Sequence, residues 1–295
     1  KSLVRKGFQS FLKGTNKNIK EVVLMEKKEV IEKMSWGKKN RIRKIIQNDG
    51  KVVMLALDHG YFLGPTHGME IPSEALKPLL PHVDSIMLSP GILTSCVDQF
   101  FNGGIVLRSS GGSSIISGDL SNEGIILVPI EAVKLNASAM AISIFVGTKF
   151  EKQTLMNLAQ TINEASKYEM PVLAVTAVGK ELEKRDAKFL SLSSRIAAEF
   201  GANIVKTYYC EGFEKVVNAC PKPIVVAGGP KLETERDVFE LCYNSIQAGA
   251  VGVDMGRNIW QNRNPGAMVQ AIRAVVHDNY RPDQAEELYK ELVNK

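Results

Sequence analysis

Two hydrophobic periods alternate along this chain. From residue 51 onward, short apolar runs rich in β-branched residues (KVVMLAL, VDSIMLS, GIVLRS, AMAISIFV, PVLAVT, ANIVK, KPIVVA and AVGVDM) are separated by stretches in which apolar residues return every three or four positions. The runs are nearly continuous, as expected of strands covered on both faces, which have no solvent side. They predict eight strands with C-terminal ends near Asp58, Leu88, Arg108, Val146, Thr176, Lys206, Ala227 and Asp254, spaced by 20 to 38 residues with a mean of 28. That spacing is about one strand–helix unit. Leu155, Leu158, Ala159, Ile162 and Ala165 share one face of a helix over 151–168, similar helices fit 187–200 and 233–247, and Gly201 and Gly249 stop two of them. Eight consecutive units predict an α/β fold, a single closed (β/α)8 TIM barrel, in preference to a doubly wound sheet.

The pattern departs from regularity in three places. The long interval after Arg108 holds SSGGSSIISGDLSNEGIIL, read as an extended loop with an extra short element at GIIL. Residues 1–50 read as an N-terminal helical extension, a basic arm with Trp36 in its final turn, and RPDQAEELYKEL predicts a terminal helix. The expected organisation is therefore an arm over 1–50, a catalytic barrel over 51–280 and a C-terminal helix over 281–295.

Charge changes the picture only at the N-terminus. The chain carries +5, but residues 1–50 hold 14 Lys+Arg against 5 Asp+Glu, so the barrel and tail are net acidic. A stretch such as GKKNRIRK fits a solvated amphipathic face better than an RNA-binding one, and nucleic acid is not an expected partner. Four dispersed cysteines form no C-x-x-C pair, which fits a reducing, cytoplasmic setting, and the histidines lack the clustered partners of a metal site. No apolar run approaches the roughly 20 residues of a membrane span.

In a barrel, side chains at the C-terminal strand ends face the active site. Lys206 follows Ile204 and Val205 there, where an amine in apolar surroundings or near another cation loses proton affinity and can attack a carbonyl as a Schiff-base nucleophile. A snorkelling or ion-paired lysine is the competing reading. Asp58 and His59, in LDHGYFLGP, fit acid/base or substrate-orienting roles, with Gly60 permitting a tight exit from the strand; a simple backbone cap by Asp58 is the alternative. VVAGGPK and VDMGRN end the last two strands, so Gly228, Gly229, Gly256 and Arg257 can cradle a phosphate: glycines allow backbone N–H groups close approach, and the arginine adds charge. AVGK at 177–180 lacks P-loop spacing. Together these residues place an amine beside a phosphate site, where it can meet a phosphorylated ketone.

The stretches LALDHGYFLGP, NIVKTYY, CPKPIVVAGGPK and GVDMGRNIWQ, in that order, resemble the class I aldolases of the deoxyribose-phosphate and archaeal-type fructose-bisphosphate aldolase superfamily across about residues 40–290. GPTHG, RSSGGSSI, LSNE, AVTAVGK and SLSSRIAAEFGA bring the chain nearer to the thiolase branch, which cleaves 3-hydroxy-2,4-pentanedione 5-phosphate with coenzyme A into dihydroxyacetone phosphate and acetyl-CoA. The resemblance implies Lys206 as the imine-forming residue, Asp58 and His59 in the active site, Gly228, Gly229, Gly256 and Arg257 on the phosphate, and no bound cofactor, with coenzyme A as co-substrate. It also implies a homo-oligomer, commonly a decamer. Aldolases of the group place a tyrosine acid/base at the end of strand 5, whereas this chain has Thr176 and Ala177. A sugar-phosphate aldolase and a non-catalytic sugar-phosphate-binding barrel are the other readings.

Overall fold

The computed structural model describes residues 25, 27, 29–177 and 185–294. The first 24 residues of the predicted arm, and Val178–Lys180 of the AVGK stretch, lie outside the described residues. All eight predicted strands form: β1 Val52–Ala56, β2 Ser85–Leu88, β3 Gly104–Arg108, β4 Ala139–Ile144, β5 Val172–Thr176, β6 Ile204–Tyr208, β7 Ile224–Ala227 and β8 Gly252–Met255. Each pairs in parallel with its neighbours in the chain, and β8 returns to β1 with Val52 opposite Gly252, closing the barrel. Helices follow the strands and cover the outside, among them α1 Glu151–Ser166, α2 Ala187–Glu199, α3 Glu235–Gln247 and α4 Pro265–His277.

Alternation along each strand divides the core in two. Val53, Leu55, Ile142, Ala174, Val205 and Val226 face the helices, whereas Val52, Met54, Ala141, Leu173, Ile204 and Val225 meet inside the barrel. The interior is closed from below by the end of the arm: Ile42, Ile45 and Ile46, on and just after the helix Trp36–Arg43, pack into the inner cluster. Burying an isoleucine side chain fully stabilises by about 1.5–3 kcal/mol, so this stretch contributes directly to the barrel. Trp36 departs from expectation. It opens that helix instead of closing it and stands 79% exposed, because the inward face belongs to the isoleucines.

Three strand ends also differ from the sequence reading by two residues. β6 runs on beyond Lys206, since Tyr208 still pairs with Ala227, whereas β1 ends at Ala56 before Asp58 and β4 ends at Ile144 before Val146. The insertion after β3 forms a two-residue antiparallel ladder, Ser110–Gly111 with Gly124–Ile125, so the short element expected at GIIL is realised in part. The terminal helix Pro282–Val293 packs on α3 and α4. Among the described residues, no helix is long and apolar enough to cross a membrane.

Candidate active site

Three alternate positions of β6 point inward: Ile204 into the apolar layer, then Lys206 and Tyr208 into a cavity of about 290 Å³ at the C-terminal mouth. Asp58, His59, Lys206, Gly228, Gly229, Gly256 and Arg257, the residues singled out from sequence, all line this one cavity. Lys206 sits 7% exposed with its Nζ 2.8 Å from Asp254 Oδ2, and Asp254 is itself 1% exposed. Burial pushes the Asp254 carboxyl up to about 6, against the pull of the Lys206 ammonium.

Asp58 behaves in the opposite way. Burial acts to raise its carboxyl, but Lys206, Arg108 and His59 together hold it below the usual carboxylate range. His59 lies 3.9 Å from Asp58 and is pushed down to about 4, by burial first and then by Lys206, Arg257 and Arg108 against the pull of Asp58; its imidazole is therefore neutral near pH 7. The ring is set edge-on against Trp260, whose indole N–H donates to the Ala56 carbonyl at 3.1 Å. Gly60 follows, yet it occupies a helical start with no positive φ, and a Cβ there would meet nothing within 4 Å. The exit from β1 is tight, and the short helix Gly60–Leu63 makes it without drawing on glycine's conformational freedom.

The glycines at the ends of β7 and β8 have physical reasons. Gly229 has φ 68°, and a Cβ at Gly256 would lie 2.6 Å from the Ala56 carbonyl and 2.8 Å from the His59 ring. Asn258, 2% exposed, donates to the carbonyls of Gly228 and Pro230 at 2.9 and 3.2 Å and accepts from Leu232 N–H at 2.8 Å. One amide side chain thereby fixes the β7 loop to the β8 loop.

Sequence reasoning left several neighbours without a role. Arg108, the inward end of β3, is 3% exposed and donates to Glu123, Tyr61 and Ser143 at 2.9, 2.6 and 2.5 Å, with Asp58 3.5 Å away. Glu123 comes from the insertion, in the loop just before the short element expected at GIIL, and Ser110 and Tyr61 also donate to it. Arg185 lines the cavity with its guanidinium 3.8 Å over the Tyr208 ring. The expected strand ends already include Arg108 and Asp254, and the period of two along β6 points Tyr208 the same way. Nothing local in the sequence marks Glu123 or Arg185, which loops deliver.

At the end of β5, Val175 and Ala177 face the cavity, while the Thr176 hydroxyl donates outside it to the Thr207 hydroxyl at 2.8 Å. The mouth therefore receives no hydroxyl from β5. Among the described residues, no group of three metal-ligating side chains converges.

Comparison with known proteins matches residues 52–262 to the family model described as DeoC/LacD family aldolase. The chain is 48% identical over 258 residues, 87% of its own length and 88% of the relative's, to the 3-hydroxy-5-phosphonooxypentane-2,4-dione thiolase of Escherichia coli (strain K12). It is 45% identical over the same shares to the thiolase of that name from Photorhabdus laumondii. Among solved structures, an archaeal fructose 1,6-bisphosphate aldolase superposes with TM-score 0.73 at 28% identity, covering 81% of this chain and 98% of that one. Another archaeal fructose-1,6-bisphosphate aldolase, solved with its catalytic lysine covalently bound to the carbinolamine intermediate, superposes with TM-score 0.72 at 27% identity over 80% of this chain and 98% of its own.

Proposed function

The chain belongs to the DeoC/LacD aldolase family, and from that premise we propose that it is a thiolase which cleaves 3-hydroxy-5-phosphonooxypentane-2,4-dione with coenzyme A, giving dihydroxyacetone phosphate and acetyl-CoA. The observation that carries the reading is a buried lysine amine, held 2.8 Å from a carboxylate, in one cavity with two glycine loops and Arg257.

In this mechanism Lys206 passes a proton to Asp254, whose elevated value suits it to hold one near neutrality, and the free amine adds to the ketone carbon beside the phosphomethylene. Loss of water gives an iminium. The thiol sulfur of coenzyme A adds to the acetyl carbonyl, and the bond between that carbon and the hydroxyl-bearing carbon breaks. Its electron pair moves into the iminium as an enamine, and the acetyl group leaves as the thioester. Protonation of the enamine carbon and hydrolysis then return dihydroxyacetone phosphate and free Lys206. Asp58, kept ionised, and neutral His59 are suited to orient the substrate hydroxyl and carbonyls.

That β5 directs no hydroxyl into the cavity supports thiolysis over aldol cleavage, because Val175 and Ala177 line it there and the aldolases that the chain resembles place a tyrosine acid/base at that strand end. Self-association and a cytoplasmic setting belong to the same proposal. Trp36, Phe100 and Ile116 hold large apolar side chains in solvent, and all four cysteines are free thiols.

Borohydride reduction with dihydroxyacetone phosphate, followed by peptide mass mapping, tests the imine. An adduct on Lys206 and acetyl-CoA formation that stops in Lys206→Met are the expected results. Turnover that persists without coenzyme A would assign an aldolase instead, and binding without adduct or turnover would remove the catalytic reading.

A further inference from the structure

The cations around the cavity are unevenly supplied with counter-charges. Lys206 has Asp254 at 2.8 Å, and Arg108 has Glu123 at 2.9 Å with Asp58 beyond it at 3.5 Å. Among the described residues, Arg185 and Arg257 form no ion pair, and the Nε of each is buried without a hydrogen-bond partner. Burial holds Arg257 below its ordinary value, and the charge of Arg185 adds to that effect. Two guanidiniums that repel across one cavity, with the nearby carboxylates among the described residues engaged elsewhere, leave a place for an anion.

The position of Arg185 says which anion. It flanks the phosphate loop: its Nη1 lies 3.5 Å from where a Cβ on Gly229 would sit. Its flat face stacks on Tyr208 at 3.8 Å, which uses the π surface and leaves the in-plane N–H groups to donate. The chain is pinned immediately afterwards, because the Asp186 carboxylate caps α2 by accepting from Phe189 N–H at 2.7 Å.

We propose that Arg185 and Arg257 jointly hold the phosphate of the ketone substrate, and that Arg185 is a specificity-determining residue which selects phosphorylated over unphosphorylated ketones. This rests on the cavity being the ketone site of the thiolase reading. A tetrahedral phosphate offers three oxygens, so two guanidiniums and the glycine-loop amides can engage it together.

The test compares wild type, Arg185→Gln and Arg185→Lys in two assays. Calorimetric titration with dihydroxyacetone phosphate, and with unphosphorylated dihydroxyacetone, reads the site whether or not turnover occurs. Arg185→Gln should weaken dihydroxyacetone phosphate binding about 10- to 100-fold, the range for losing a hydrogen bond to a charged group. It should leave dihydroxyacetone unchanged, while Arg185→Lys recovers part of the loss. Steady-state kinetics should show the same rise in KM for the phosphorylated ketone, with kcat little altered and KM for coenzyme A unchanged. Unchanged binding of dihydroxyacetone phosphate in Arg185→Gln overturns the proposal, and a rise confined to the coenzyme A KM reassigns Arg185 to the co-substrate's phosphates. A wild-type protein that binds dihydroxyacetone phosphate but performs no thiolysis would refute the thiolase reading alone and still leave Arg185 to be judged by the titration.

Discussion

Lys206 and Asp254 reach each other across β7: their own strands pair with Val225 and Ala227 there, small side chains that leave room for a 2.8 Å contact between Nζ and Oδ2. A buried pair of this kind is a poor source of stability, since desolvating both charges offsets their attraction. Its value lies in chemistry. Because burial lifts Asp254 to about 6, the carboxylate form dominates at pH 7 and is lost as the pH falls through that value, removing the acceptor for the lysine proton. Activity should therefore show an acid limb near pH 6. Asp254→Asn should abolish that limb and lower kcat about 10²-fold or more, the usual reach of general acid–base catalysis. A limb surviving in the variant would assign it to another group.

Glu123 reaches in from the insertion and meets Arg108, Tyr61 and Ser110 at 2.5–2.9 Å while 2% exposed. Removing one partner of a buried charge pair leaves the other uncompensated, so Glu123→Gln should cost about 3–5 kcal/mol in chemical denaturation. Burial works against the Arg108 charge, but Tyr61, Glu123 and Asp58 hold it above its ordinary value, so it stays protonated throughout and the loss should be nearly constant from pH 6 to 9. A cost under about 1 kcal/mol would show the network to be slack.

These two sites mark how far the sequence alone carries. The barrel was legible because eight buried strands must be written as eight apolar runs, and Lys206, Asp58 and the two glycine loops were legible because each ends such a run. The strand end of β6 was misplaced because tyrosine suits a strand as well as a loop, and only pairing with Ala227 decides it. Glu123 was invisible for a different reason. A carboxylate in LSNE within a polar insertion reads as solvated until the Ser110–Gly111 ladder folds that segment back over Arg108. Gly60 marked a tight exit from the strand, and only the backbone shows that the exit is helical.

A second, half-buried cluster joins the bottom of the barrel to the outer helices. His277 on α4 meets Asp84 at 2.8 Å and Asp49 at 2.7 Å, and Asp84 also accepts from Arg273 at 2.6 Å and from Val53 N–H at 2.6 Å. Burial opposes the imidazolium, but the two carboxylates raise His277 above its ordinary value. A raised histidine adds stability that is complete below the unfolded value of about 6.5 and fades as the pH rises through the folded one. The stability difference between wild type and His277→Gln should thus be largest near pH 6, about 1.5–3 kcal/mol for hydrogen bonds to a charged group, and shrink toward pH 9. Asp84, lowered by His277 and by the Val53 and Arg273 hydrogen bonds despite burial, works at the other extreme. Its contribution is present above about pH 4 and lost on further acidification. A difference between wild type and His277→Gln that grows with pH would contradict the assignment.

Closure of the barrel depends on a single missing side chain. Where β8 returns to β1, a Cβ on Gly252 would lie 1.9 Å from the Val52 carbonyl oxygen and 2.7 Å from its Cγ1. The obstructing atom is backbone in a strand fixed by the apolar layer on both faces, so neither side can yield without breaking the Val52–Gly252 register. Overpacking usually costs about 1–3 kcal/mol, with relief by side-chain shifts. Gly252→Ala has no such relief and should exceed that range, giving loss of soluble protein or a transition displaced far to lower denaturant. Gly60→Ala is the matched control. It places the same methyl in open space at a helix start and should change stability by less than about 1 kcal/mol, in the stabilising direction if at all, because glycine loses more freedom on folding than alanine. Equal effects at the two positions would mean that β1 and β8 are not held in this register.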